Sequence, residues 1–113
     1  MSIPSDFVVD VDLGVDPVVV RVQGELDLST AAGLLQALEE AAPLSATVVV
    51  DLSAVEFLDS SAIGALLTAG RARTLAGGRL QIGSRSTAVD RVLAVTGLDE
   101  SSEAFELLPQ QTT

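Results

Sequence analysis

The sequence predicts a single α/β domain with a mixed, mostly parallel β-sheet, an antiparallel N-terminal edge hairpin and about three helices. Two segments near the amino terminus alternate apolar and polar residues, which is typical of half-buried strands. Beyond them, short apolar runs alternate with segments of helical periodicity, an arrangement that implies parallel strands joined by right-handed crossovers. The length of 113 residues is enough for one domain with its own core.

The edge hairpin is predicted from residues 7–12 (FVVDVD) and 18–23 (VVVRVQ). In both segments every second side chain is apolar and suited to one buried face. Residues 14–17 contain glycine and proline and predict the turn between the two strands. Residues 24–27 (GELD) are expected to leave the second strand.

The first helix is predicted to begin after Ser29 and Thr30, which we expect to cap it. Pro43 follows at the position where a proline ends a helix. The spacing of the apolar residues indicates one buried face, formed by Ala31, Leu34, Leu35 and Leu38.

The central stretch, residues 48–64, is the most informative part of the chain. A buried strand is predicted over residues 47–52, with Asp51 at its end, followed by a short connection. A second helix is predicted to begin at Asp59, Ser60 and Ser61, because Asp and Ser accept hydrogen bonds from first-turn amides. Its core-facing stripe is predicted to consist of Ile63, Leu66, Leu67, Gly70, Thr74 and Leu75.

The last third of the chain predicts one more strand, helix and edge strand. Gly77 and Gly78 close the second helix, and a short strand follows around Gln81. A third helix restarts at residues 84–87, buries Val89, Val92 and Leu93, and ends at Gly97 in a left-handed C-cap. Residues 105–107 predict a final edge strand. The single domain, residues 1–113, therefore has a predicted core at 7–108 and frayed ends at 1–5 and 109–113.

Charge and composition restrict the possible partners. Residues 1–70 hold eleven acids and one base, whereas residues 71–113 hold five acids and five arginines. This acidity argues against nucleic-acid binding and favours a cationic protein partner, although a solubilising surface would have the same composition.

No uncharged run exceeds eleven residues, so no membrane span is expected. Without a cysteine or a signal peptide, the protein is expected in the cytoplasm, and its oligomeric state stays open.

Most enzyme classes are excluded by missing residues. The chain has no histidine or cysteine, so it offers neither a Ser-His-Asp triad nor a conventional zinc site. It also lacks the glycine-rich phosphate and dinucleotide motifs, and no cofactor or metal is expected. A phosphoacceptor receiver domain is a weak alternative, with Asp51 near Asp10 and Asp12, because the chain has no lysine to pair with the phosphoryl group.

Three motifs carry a resemblance to a known family. The motifs are VVVDLSAVEFLDSSAIGALL, with GELDLSTA upstream of it and VTGL downstream. Together they resemble the sulfate-transporter and anti-sigma antagonist (STAS) domain. The most similar group is the free-standing bacterial anti-sigma factor antagonists, and the similarity covers residues 7–108. The resemblance implies a STAS-type domain that is a binding module and not an enzyme.

The resemblance also implies a phosphorylation switch. The first serine of the family's D-S-S-G-[LIV]-G motif corresponds to Ser60, with Ser61 as its neighbour. The implied surface for the partner comprises Glu25, Asp27, Asp59, Ser60, Ser61, Ala62, Ile63 and Gly64. The unmodified protein would bind an anti-sigma factor that is itself a serine kinase and thereby release a sigma factor, and a serine phosphatase would reverse the modification. From the residues alone, the favoured interpretation of both serines is that they are simple helix caps, because serine is among the commonest N-cap residues; the resemblance favours the switch.

Two departures from the family pattern keep an alternative open. Ala62 stands where the family has glycine, and its methyl is expected to project where a kinase would approach. Only five residues follow Leu108, so the family's final helix is not expected. The alternative is a non-switching STAS subunit of a larger assembly, such as a transport ATPase or a stress-signalling complex.

Overall fold

The computed structural model describes residues 7–12, 16–99 and 102–109. The helices and strands, in chain order, are β1 (Phe7–Asp12), β2 (Val18–Leu26), α1 (Ala31–Ala41), a 3-10 turn (Ala42–Leu44), β3 (Thr47–Leu58), α2 (Ser60–Leu75), β4 (Arg79–Arg85), α3 (Thr87–Thr96) and β5 (Glu106–Leu107). The predicted turn at 14–17 lies partly outside the described residues, and the predicted frayed ends lie outside them except for Pro109.

The five strands form one sheet in the order β1-β2-β3-β4-β5. Strands β1 and β2 are antiparallel, and every other neighbouring pair is parallel. The predicted fold class is therefore confirmed, and the strand order follows the chain order. Right-handed crossovers that all step in one direction place the three helices on the same face of the sheet.

The core lies between that sheet face and the helices. Alternate residues are fully buried in β2 as far as Val22, in β3 as far as Leu52 and in β4 as far as Ile82, while their neighbours on the other face are partly or fully exposed. The buried strand residues pack with apolar side chains of all three helices in one cluster, whose largest members include Leu34, Leu52, Leu66, Ile82 and Leu93. No helix in the described part of the chain combines the length and apolarity needed to cross a bilayer.

Strand β3 is twice as long as predicted. It continues to Leu58, so Asp51 lies within the strand and not at its end. The pairing with β2 shifts register between Arg21 and Gln23 and between Gly24 and Glu25. These irregularities break the period of two in β3, where burial beyond Leu52 recurs every third residue. The sequence pattern therefore did not indicate a strand there.

The predicted stripe on α2 is wrong at its end. The side chain of Leu75 is 89% exposed, and Thr74 is also exposed. Nine residues separate Leu75 from the buried Leu66, which at 100° per residue places them on opposite sides of the helix. The inner position of the last turn belongs to Arg73, whose Nη2 donates to the carbonyl of Ala46 at 2.9 Å.

The other predicted helix ends agree with the structure, with one exception. Ser86 caps α3 by accepting a hydrogen bond from the Val89 amide, and Gly97 closes that helix with φ of 77°. The exception is α1, because the hydroxyl of its N-cap residue Thr30 makes no capping bond. That hydroxyl is used in the loop before the helix.

Candidate functional site

The predicted site residues meet at the edge where β2 and β3 end. Leu26 and Leu58, the last residues of these strands, are direct partners in the sheet. The Asp59 amide then donates to the Leu26 carbonyl at 3.0 Å. The two segments that follow, beginning at Asp27 and at Asp59, therefore leave the sheet side by side.

Asp59 positions the start of α2. Its Oδ1 accepts hydrogen bonds from the amides of Ser61, at 2.8 Å, and Ala62, at 3.2 Å. The carboxylate thus satisfies two of the amides that have no partner within the helix. Because Asp59 provides the cap, the exposed side chain of Ser60 is not needed for it. The Ser60 hydroxyl lies on the surface beside the amino-terminal end of the helix.

The neighbouring loop is held by a second aspartate. Asp27 Oδ1 accepts hydrogen bonds from the Ser29 hydroxyl at 2.7 Å and from the Ser29 amide at 2.9 Å. These bonds, the hydroxyl bond above all, hold the pKa of Asp27 below its ordinary value and outweigh the opposing effect of burial. Asp27 is therefore ionised throughout the physiological pH range.

Four acidic side chains lie at the end of the sheet from which α2 begins. Glu25 and Glu56 are exposed, and Asp27 and Asp59 are partly buried. They come from the ends of two adjacent strands and from the residues that follow them. We call these four residues the acidic rim. The part of the chain that the structure describes has no Arg or Lys among residues 22–70, so the rim produces a negative potential that attracts a cationic surface.

The remaining predicted residues differ in accessibility. Ser61 is partly buried and Ile63 is almost fully buried, whereas Gly64 is exposed on the same side of α2 as Ser60, four residues away. Ala62 is 0% exposed, and its methyl packs in the core. The expectation that this methyl projects toward a partner is therefore wrong, because position 62 faces the sheet.

Two exposed apolar residues in this region were not singled out in the sequence. Leu28 lies in the Asp27 loop, and Phe57 is the partner of Glu25 in the β2–β3 register. A signal for Leu28 was available, since it follows a buried strand end and lies outside the apolar stripe of α1. For Phe57 no signal existed, because its orientation depends on the irregular pairing of β3.

The acids of the receiver alternative surround an arginine. Arg21 is the sheet partner of Asp10 on one side and of Asp51 on the other, and its Nη1 lies 3.3 Å from Asp12 Oδ2. Asp51 Oδ1 instead accepts hydrogen bonds from the amide and hydroxyl of Ser53. Among the described residues, no group of three or more acidic side chains could hold a metal ion. The structure therefore gives the receiver alternative no support.

Comparisons with known proteins converge on one family. The family model described as "Mlab, STAS domain" matches residues 9–109. The anti-sigma-F factor antagonist RsfB of Mycobacterium tuberculosis is 34% identical, over the whole of this chain and 93% of the relative. A crystal structure of an anti-sigma factor antagonist from Mycobacterium paratuberculosis has a TM-score of 0.72 and 33% identity, covering 96% of this chain and 91% of that one. Unphosphorylated SpoIIAA, at 22% identity, shares the fold with a TM-score of 0.73 over 93% and 89% of the two chains.

Proposed function

The chain belongs to the STAS domain family, in the group of anti-sigma factor antagonists, and we propose that it binds an anti-sigma factor only while Ser60 is unphosphorylated. Members of this group are non-enzymatic regulators. One observation carries the proposal: Ser60 is exposed at the start of α2, directly beside the acidic rim. Binding would release a sigma factor from its inhibitor, and phosphorylation would end the binding.

The unmodified surface suits a basic partner. The acidic rim concentrates negative charge at the end of the sheet from which α2 begins, where it would accelerate association with a cationic patch. The helix end itself adds an opposing, weaker positive potential. Because the rim acids are partly or fully exposed, their effect would weaken with added salt.

A phosphate on Ser60 would affect the fold and the complex in opposite directions. It adds about 1.5 to 2 negative charges at pH 7. For the fold, the modified side chain lies at the positive end of α2, where an anion contributes about 0.3–1 kcal/mol of stabilisation. For the complex, the same dianion stands beside the acidic rim and must lose its water under the partner. The fold would therefore be retained while the complex is lost.

The kinase and phosphatase activities would belong to the implied partner proteins. The kinase would be the bound anti-sigma factor itself, and a metal-dependent serine phosphatase would reverse the modification. ATP and magnesium would belong to these enzymes, and the cycle would take place in the cytoplasm. The alternative, a non-switching STAS subunit of a transport or stress-signalling assembly, requires no phosphate on Ser60.

Phosphate mapping and three variants test the proposal. The protein is incubated with ATP and the serine-kinase anti-sigma factors of its source genome, together with the Mycobacterium tuberculosis anti-sigma-F factor, and phosphate is located by mass spectrometry. We expect Ser60→Ala to retain binding, and Ser60→Asp to weaken it while the melting temperature stays nearly unchanged or rises slightly.

Thr68→Asp is the matched control for the added charge, because Thr68 is exposed on the same side of α2, two turns beyond Ser60. It should bind more tightly than Ser60→Asp. Absence of phosphate on Ser60 with every kinase would favour the non-switching subunit. Unweakened binding by Ser60→Asp would exclude the electrostatic mechanism.

A further inference from the structure

Two exposed apolar side chains lie beside the acidic rim. Leu28 is 81% exposed and Phe57 is 48% exposed, although large apolar side chains are usually buried. Leu28 follows Asp27 directly, and Phe57 precedes Leu58, the last residue of β3. Both therefore lie at the same sheet edge as Ser60.

The position of Leu28 is held by the loop around it. The Thr30 hydroxyl accepts a hydrogen bond from the Asp27 amide and donates one to the Glu25 carbonyl, each at 2.9 Å. The Asp27 carbonyl in turn accepts from the amides of Thr30 and Ala31. Thr30 is itself buried, which secures these bonds. A partner that contacts Leu28 would therefore meet a preorganised loop and lose little conformational entropy.

The fold makes little use of the Leu28 side chain and only partial use of the Phe57 side chain. Leu26, two residues before Leu28, is fully buried and occupies the core position at the end of β2. Leu58 does the same for β3, next to Phe57. The exposed residues next to these core positions are thus free to serve another surface.

The surroundings indicate what kind of molecule covers them. An apolar centre within a ring of charged groups is the usual composition of a protein–protein interface. The ring here is the acidic rim, which would repel an anionic lipid surface and attract a basic protein. Leu28 and Phe57 lie at the same end of the sheet as Ser60, so one partner bound at that end can contact all three residues.

We infer that Leu28 and Phe57 are the apolar anchors of the partner surface, inserted into an apolar depression that basic side chains surround. The inference rests on the proposed function and extends it by naming the residues that hold the complex together. The acidic rim would then mainly raise the association rate, while the anchors determine how slowly the complex dissociates.

Alanine variants of the anchors test this division. The probe is whichever anti-sigma factor binds the parent protein, from the source genome or from Mycobacterium tuberculosis. We expect Leu28→Ala and Phe57→Ala each to raise Kd by about tenfold or more, mainly through faster dissociation. The loss should persist at roughly 0.5 M salt, where contributions from exposed charges are screened.

Leu75→Ala and Val95→Ala are the matched controls. Both side chains are more than 80% exposed, and Leu75 ends α2, a 16-residue helix, about 24 Å from its start. Neither change should alter Kd. Melting temperatures are measured for all variants, and Leu28→Ala, at the most exposed anchor, keeps the test informative if Phe57→Ala is destabilised.

The outcomes separate this inference from the proposed function. If Ser60→Asp weakens binding but both anchor variants bind as the parent does, the anchor inference fails and the switch stands. If the parent binds no anti-sigma factor, the proposed function fails and the anchor inference fails with it. Equal weakening by anchors and controls would show a non-specific apolar effect and overturn the inference.

Discussion

Two substitutions at Asp59 separate its structural role from its role at the surface. Asp59→Ala removes both the charge and the oxygen that accepts from the Ser61 and Ala62 amides. Asp59→Asn removes the charge but keeps an amide oxygen that caps a helix as well as a carboxylate does. The difference between the two variants therefore isolates the two capping hydrogen bonds.

The expected magnitudes follow from this geometry. Loss of an N-cap costs about 0.5–2 kcal/mol, typically about 1 kcal/mol. Loss of a carboxylate at a helix amino terminus costs about 0.3–1 kcal/mol. We therefore expect Asp59→Ala to lower the free energy of unfolding by about 1–2 kcal/mol, and Asp59→Asn to lower it by less than about 1 kcal/mol.

Urea unfolding measures both values. Far-ultraviolet circular dichroism is the suitable signal, because the chain has no Trp or Tyr. With a typical slope of about 1–3 kcal/mol per molar urea, a 1 kcal/mol loss shifts the midpoint by about 0.3–1 M. In partner binding the two variants should be weakened to a similar extent, since each removes one charge from the acidic rim.

Equal stability of Asp59→Ala and the parent would refute the assignment of Asp59 as the residue that holds the start of α2. Stronger partner binding by Asp59→Asn would refute the attraction between the rim and a basic partner. Because stability and binding are measured on the same variants, the two conclusions can fail independently.

Three further predictions follow from the structure. Gly64→Ala should raise the free energy of unfolding by about 0.5–1 kcal/mol, because no heavy atom lies within 4 Å of the added carbon. The added methyl should also weaken partner binding and Ser60 phosphorylation, because it prevents close approach of the partner. Unchanged binding would contradict this prediction. Gly70→Ala should destabilise the fold by about 1–3 kcal/mol or more in the same urea assay, because the added methyl overlaps the Ala104 carbonyl; parent-like stability would contradict that close contact. Ser29→Ala should raise the pKa of Asp27 toward its ordinary value in a carbon-detected NMR titration, and an unchanged pKa would mean that the hydroxyl does not stabilise the carboxylate. Because the pKa of Asp27 is lowered in the folded protein, the ionised carboxylate stabilises the fold at pH values above the ordinary pKa of an aspartate. This contribution is lost as the pH falls through the lowered pKa. Ser29→Ala should therefore lose less stability in acid than the parent protein does.

Local patterns predicted most of the elements. The alternation at residues 18–23 indicated a half-buried strand, and Val18, Val20 and Val22 are indeed the buried side chains of β2. The capping roles of Asp59, Ser86 and Gly97 also follow from their own chemistry and neighbours. Such features are predictable because they depend on interactions within a few residues.

The second half of β3 could not be predicted, because it depends on pairing with residues that are distant in the chain. Its residues are extended because they pair with β2 through two register shifts, and the pairing residues are some thirty positions away in the chain. The resulting burial pattern fits neither the period of a strand nor that of a helix. The same irregularity determines that Phe57 is exposed and Val55 buried.

By itself, the sequence determined the α/β architecture, the helix that begins at Asp59 and Ser60, and the acidity of the first seventy residues, since these depend on periodicity, caps and counts. Tertiary structure alone decided that the Asp27 loop lies beside that helix start, that the Ala62 methyl faces the core, and that Leu28 and Phe57 are exposed at the same end of the sheet as Ser60. The physical reason is that a surface is assembled from separate strand ends. Which side chains it exposes depends on register and on burial by distant elements, and no local pattern contains that information.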